Sequence, residues 1–298
     1  FKFGKFSITP GLRVENAWQD IRETVNRNVN NAGAVTGLNP LESIDDRSTV
    51  VLGGLGAEFE LPASSSIYGN ISQSYRPRIF SESVPTGPTT FVNGDLEEGK
   101  SIEYEIGVRG RPTEWATFDA SVFLLQFEDQ IGTVAVPGGT SLQNVGDAEH
   151  KGIDLSLSLD LLAIARGKKA TDSLDWFVNA TFLDAEFTRG PQLGKTPQYA
   201  PDFIVRSGFT FTHGDKGKVS LTGTLVDDHF ADDANTANFA VPGYFTCDLT
   251  AEYKIHQNVR LLAGINNLFD ESYYSRVRGD GIDPANGRNY YVGASFEF

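Results

Sequence analysis

The connections of this chain, more than its strands, constrain what it can fold into. Segments of alternating polarity recur from end to end, and the stretches between them are short and long in strict turn. The cleanest alternation is GIDLSLSLDL, with Ile153, Leu155, Leu157, Leu159 and Leu161 on one face and Asp154, Ser156, Ser158 and Asp160 on the other. SIEYEIGVRG sets Ile102, Tyr104, Ile106 and Val108 against Glu103, Glu105 and Arg109, and YFTCDLTAEYKI gathers Thr246, Asp248, Thr250, Glu252 and Lys254 on its polar face. About twelve such strands are expected, near 4–17, 49–60, 66–78, 101–111, 115–131, 149–162, 173–189, 201–213, 218–229, 243–255, 258–275 and 287–298. Short connections fall at 61–65, 111–114, 165–172, 214–217 and 256–258, and long ones at 18–48, 79–100, 132–148, 190–200, 230–242 and 276–286. Tight turns on one rim and long loops on the other are the pattern of an antiparallel transmembrane β-barrel of the outer membrane. A soluble sandwich has no reason to keep that parity throughout.

Run length agrees. Many runs exceed the roughly 5–6 residues usual for soluble strands and match the roughly 9–11 that cross a bilayer at a tilt. No run approaches the roughly 18 apolar residues of a membrane helix. The mean hydropathy of −0.25 does not count against a barrel, because only alternate residues of each strand face lipid. Parity also gives direction: the last strand must run from the loop side to the turn side, which places Phe298 at the periplasmic rim. In the closing GRNYYVGASFEF, Tyr290, Val292, Ala294, Phe296 and Phe298 share one face, opposite Asn289, Tyr291, Gly293, Ser295 and Glu297. Of these, Tyr290, Val292, Phe296 and Phe298 resemble the C-terminal signal read by the outer-membrane barrel assembly machinery. Aromatic residues gather near the loop ends (Trp18, Tyr75, Tyr244, Tyr273) and the turn ends (Phe6, Phe59, Trp115, Trp176, Tyr253), as two interfacial girdles require.

Composition closes several other routes. A net charge of −14 argues against nucleic acid as a partner. The one cysteine, Cys247, excludes an internal disulfide and a cysteine zinc site, and its parity makes it a small apolar filler. The chain holds no methionine, so it is expected to begin inside a longer protein. Asp232 and Asp233 in FADDANTAN lack the spacing of a calcium loop and read as a solvated loop. The polar face is rich in charge, including Arg13, Glu58, Glu105, Arg109, Asp119, Asp154, Arg206, Glu252 and Arg260, which need partners or water.

Several stretches, taken in order, carry a resemblance: PGLRVEN, KSIEYEIGVRGRP with WATFDASVFLLQFEDQI, NVGDAEHKGIDLSLSLDL, TPQYAPDF, DDHFADDANTANFAVPGYFTCDLTAEY, and GINNLFDESYYSR with GRNYYVGASFEF. This series is similar to the C-terminal barrel half of TonB-dependent outer-membrane receptors. HFADDANTANFAVPGY narrows it to receptors of the ferric-dicitrate type. The resemblance implies a barrel of about 22 strands plugged by an N-terminal domain. Residues 1–298 would be the last part of that barrel, with plug and TonB box upstream of Phe1. It further implies a non-enzymatic receptor that captures a ferric chelate in its loops and is driven by the TonB–ExbB–ExbD system. The chelate is its ligand, and no cofactor is expected. An anionic chelate calls for arginines that bind carboxylates in bidentate fashion. Arg76, Arg78, Arg276, Arg278 and Arg288 are the rim candidates, and Gln130 sits where ferric-citrate receptors have a ligand-contacting glutamine. Each arginine could instead be a solvated charge or an ion-pair partner, and Arg288 could orient the last strand. Two other functions stay open. One is a passive porin or translocator. The other is a barrel phospholipase, which needs a serine beside His150, His213, His229 or His256.

Overall fold

The computed structural model describes residues 1–22, 27–29, 35–38, 43–78, 80–83, 90–93, 96–137, 139–167, 170–278 and 281–296. Twelve long strands dominate: β1 (Phe6–Arg22), β2 (Ser43–Leu61), β3 (Ser65–Arg76), β4 (Gly99–Thr113), β5 (Ala116–Val136), β6 (Gly139–Asp160), β7 (Asp172–Phe187), β8 (Phe203–His213), β9 (Gly217–Val226), β10 (Tyr244–His256), β11 (Val259–Asn266) and β12 (Asn289–Phe296). Each pairs antiparallel with the next in one continuous sheet, so the chain is an all-β meander, as expected. The described helices are short: Phe80–Ser83, Leu161–Arg166 and one 3₁₀ turn at Ala237–Phe239.

Cross-strand register shows how the alternation is used. One rung, Phe59–Ile67–Val108–Ala120–Leu155–Ala180–Val205–Leu225–Phe245, is apolar from β2 to β10. Many side chains of this face are exposed, among them Ile106, Leu155, Leu225 and Val292. Such an apolar surface, continuous along the rungs of a barrel sheet, suits contact with lipid. Towards the loop side the rung Gln73–Ile102–Gln126–Glu149–Glu186 turns polar, and Gln126 Nε2 donates to Glu149 Oε1 at 2.7 Å. That rung marks the outer limit of the lipid-facing band.

The opposite face carries the charges, and several are paired across strands. Arg109 reaches Glu58 at 3.2 Å and lies 4.9 Å over the Tyr68 ring, while the Tyr68 hydroxyl donates to Glu105 (3.2 Å) and Asp119 (2.9 Å). Nearer the turn side, Glu252 takes both Arg260 (2.8 Å) and Lys218 (3.5 Å). Cys247 is buried on the apolar face opposite Gly223, in the filler role its parity gave it.

Some boundaries differ from the alternation pattern, each for a local reason. The stretch 132–148 was expected as a loop, yet β5 and β6 continue through it and turn only between Val136 and Gly139. Asp129 (φ 54°) and Gly146 (φ 126°) sit where the register shifts, so pairing survives while the phase of the pattern breaks. The run expected over 258–275 stops at Asn266, because Asn267 takes φ 52°. Strand alternation read through Leu161, but the chain turns there into a short helix. Asp160 Oδ1 accepts from Ala163 N–H at 3.1 Å, and Gly167 ends the helix at φ 70°. In 18–48 the strands extend to Arg22 and from Ser43, and part of the remainder lies outside the described residues.

Candidate functional site

The long connections all leave from one rim, and the rim candidates take up distinct positions on it. Arg76 ends β3 on the charged face and is ion-paired with Glu82, whose side chain is buried. Arg76, Lys100, Glu128 and Gln130 line one groove of about 270 Å³, with Tyr75 and Phe127 beside them. Gln130 enters it because the bulge at Asp129 rotates the strand. Its Oε1 is buried and accepts no hydrogen bond among the described residues, so it calls for a donor. The groove thus offers the Arg76 guanidinium, shared with Glu82, and one unsatisfied amide oxygen beside an aromatic wall, while Lys100 and Glu128, partners in register, carry the opposite parity to Arg76 at its edge. That donor set can hold a carboxylate- or hydroxyl-bearing ligand.

Arg78 lies elsewhere, in a second hollow of about 280 Å³ shared with Trp18, Gln19, Ser48 and Glu98, and its carbonyl accepts from Gln19 Nε2 at 2.5 Å. Arg276 is exposed on a hairpin formed by Tyr274–Arg278 and Gly281–Pro284, and the Arg278 backbone closes that hairpin against Gly281. Arg288 is committed to structure: its backbone N–H donates to Asp270 Oδ1 at 2.8 Å, and its guanidinium reaches Asp270 Oδ2 (3.6 Å) and the Leu268 carbonyl (3.4 Å). Tyr290, Val292 and Phe296 are exposed on the lipid-facing side of β12, and Phe298 lies outside the described residues.

The alternation pattern did not reveal how the rim is braced. Arg189 pairs with Asp147 at 2.7 Å, and Asn144 exchanges hydrogen bonds with the Glu97 backbone at 2.8 and 2.9 Å. Asn235 clasps Thr196 in the same reciprocal way, accepting from its N–H at 2.9 Å and donating to its carbonyl at 2.7 Å. Tyr199 extends the brace to the last hairpin, its hydroxyl donating to the Val277 carbonyl at 3.1 Å. Gly146 and Gly190 make the closest approach: a Cβ on Gly146 would meet the Arg189 carbonyl oxygen at 1.9 Å. The quoted NVGDAE contains this glycine and Asp147, so the packing reason was present in the sequence although its partner was not.

Asp233 corrects the solvated-loop expectation. It is 2 % exposed, and its Oδ1 accepts from Gln198 N–H at 2.9 Å. Burial pushes this carboxyl above its ordinary range, opposed by the Gln198 hydrogen bond, with Asp232 adding a smaller push upward. Asp232 itself caps the turn through Thr236 N–H (2.9 Å) and Thr236 Oγ1 (2.6 Å). Among the described residues no group of metal-ligating side chains is gathered. His213 pairs with Asp172 at 3.0 Å, His229 contacts the Asp227 carbonyl at 3.1 Å, and His150 packs edge-on against Phe127; no described hydrogen bond joins a histidine to a serine.

Comparison with known proteins adds to this geometry. The profile of the "TonB dependent receptor-like, beta-barrel" family matches residues 1–268. The metal-pseudopaline receptor of Pseudomonas aeruginosa is 26 % identical over 240 residues, covering 74 % of this chain and 30 % of the relative. The solved copper transporter OprC superposes with a TM-score of 0.77 at 19 % identity, over 100 % of this chain and 46 % of its own. The unliganded ferric citrate transporter FecA gives 0.71 at 21 %, over 100 % and 43 %. The chain therefore spans less than half the length of these proteins.

Proposed function

Since the chain belongs to the TonB-dependent receptor β-barrel family, we propose that it forms the C-terminal barrel part of an outer-membrane receptor that takes up a ferric chelate, with ferric citrate as the specific ligand. In this reading the remaining strands, the plug and the TonB-contacting segment belong to the full-length protein. Uptake is driven by TonB and its inner-membrane partners ExbB and ExbD, and the barrel assembly machinery inserts the strands.

The observation that carries the proposal is the rim groove lined by Arg76 and the unsatisfied Gln130 oxygen. Ferric citrate is anionic and polar at its edge, so its free carboxylates suit the Arg76 guanidinium and its hydroxyl and water ligands suit the Gln130 oxygen. Arg276 adds an exposed cation on the last hairpin. The brace from Asp147 to Val277 keeps this part of the rim in one geometry, which lowers the ordering cost of capture.

The test is iron-limited growth of a strain deleted for the full-length gene, with ferric citrate as sole iron source. Growth should fail and be restored by the intact gene, and restoration should weaken with Arg76→Ala. Normal growth of the deletion strain on ferric citrate would overturn the citrate assignment. The same plate series with hydroxamate and catecholate chelates identifies the ligand class that replaces it.

A further inference from the structure

We propose that the lipid-facing wall of the sheet carries a built acyl-chain site at Gly69, which holds one chain of an outer-leaflet lipid. The site is a groove of about 510 Å³ across β2–β5. Ala57 and Gly69 form its floor, and Leu55, Ile71, Tyr104, Ile106 and Val122 stand around it. Two neighbouring rungs make it: Leu55–Ile71–Tyr104–Leu124 on the loop side, and Ala57–Gly69–Ile106–Val122 immediately below. The first rung is large throughout. The second begins with the two smallest side chains available, so the surface drops there before rising again at Ile106.

What a glycine does on this face separates the groove from ordinary roughness. At Gly110, Gly217 and Gly223, which share the lipid-facing parity, a neighbour occupies the missing side chain's place: Ser65 within 2.1 Å of the ideal Cβ, the Glu252 backbone at 2.5 Å, and Phe245 at 2.9 Å. Those glycines let the neighbours pack. At Gly69 the nearest atom is the Glu105 carbonyl oxygen at 3.5 Å, an ordinary contact; Gly53 is as open, but its neighbour at 3.5 Å is the Gln73 side-chain oxygen, in the polar rung above the groove. The space is left open, and the backbone does not require it. In lipid an apolar hollow is filled by the solvent at hand, which is hydrocarbon, and the groove is continuous with the apolar rungs that face the bilayer. Tyr104 stands at its loop-side end, 39 % exposed, with the Lys151–Asp184 pair (3.1 Å) continuing the same rung. Polar groups at that end and hydrocarbon below fit a chain that descends from an outer-leaflet headgroup.

The same geometry provides the test, because a Cβ added at Gly69 meets its nearest backbone atom only at ordinary van der Waals distance. Full-length receptor is reconstituted in dioleoyl phosphatidylcholine vesicles carrying a trace of phosphatidylcholine with a diazirine-bearing palmitoyl chain, and photo-crosslinks are mapped by mass spectrometry. Crosslinks should concentrate several-fold on 55–71 and 104–124 relative to the lipid-facing residues of β8–β11, and Gly69→Leu should reduce them to the level of the rest of the wall. Ala57→Leu, which fills the same floor from β2, should do likewise and serves if Gly69→Leu fails to insert. Even labelling around the wall overturns the site, as does enrichment that persists in either variant. Loss of ferric citrate growth bears on the rim alone, so the two proposals fail separately.

Discussion

At the scale of single residues, the most consequential side chain is Asn267 in NNLFD. It is buried at φ 52°, where asparagine is among the few side chains tolerated. Its backbone N–H donates to Asp248 Oδ1 at 2.8 Å, its Oδ1 accepts from Glu271 N–H at 2.8 Å, and its Nδ2 donates to the Glu271 and Asn286 carbonyls at 2.8 and 3.3 Å. One amide therefore fixes where β11 ends and where the last loop returns. Asn267→Ala should destabilise the full-length protein by about 1–3 kcal/mol through buried groups left unpaired, plus the backbone strain. Asn267→Gly, which relieves the strain alone, should fall between; heat-dependent mobility in detergent gels reads both. The motif was visible in the sequence, but the convergence on Asp248 and Asn286 was not, since those partners lie 19 residues away on either side. Gln130 was named without its groove for a related reason: the bulge at Asp129 breaks the phase on which facing is inferred.

Asp233 gives a pH dependence at the same scale. Its carboxyl is raised on folding above the roughly 3.9 of a free aspartate. The closed rim thus holds a proton that an opened rim has already released. The clasp is fully present on the acid side and weakens as pH climbs from the ordinary aspartate value through the raised one. Amide exchange at Thr196, Gln198 and Tyr199, corrected for intrinsic rate, should show protection falling over that interval in the native receptor and staying flat in Asp233→Asn. Equal pH dependence in both would assign it to another group.

At the scale of elements, the strands were legible because each must satisfy lipid on one side and charge on the other. No other arrangement of these residues leaves Ile153, Leu155 and Leu157 together and Asp154 with Ser156. What the pattern missed lies above the bilayer, where that demand lapses: β5 and β6 run past the lipid band, and only pairing shows they remain strands. The two faces should answer differently to charge. Val292, 84 % exposed on the lipid side of β12, should lose about 2–4 kcal/mol on Val292→Arg if it lies near the midplane. Ser295→Arg, on the opposite face, should cost far less, even with the like charge of Arg260 opposite it in register. Urea unfolding of the protein in liposomes compares them, and equal losses would contradict the assignment of faces.

At the scale of the whole molecule, twelve strands form one continuous antiparallel meander, and in the described residues β1 and β12 are not paired with each other. The chain covers 30 % of the metal-pseudopaline receptor and 43 % of the ferric citrate transporter. Closure and transport are therefore properties to be sought in the full-length protein. The class of protein was readable from connection parity and the order of motifs, because barrel geometry imposes both. Ligand identity was not, since it depends on a few rim side chains whose convergence is set by bulges and loop braces. The most direct measurement is uptake of radio-iron citrate by cells that depend on the full-length gene, with and without TonB. Accumulation that requires both the gene and TonB is the expected result. Uptake that continues undiminished without TonB would mean a passive pore, and would contradict a gated receptor.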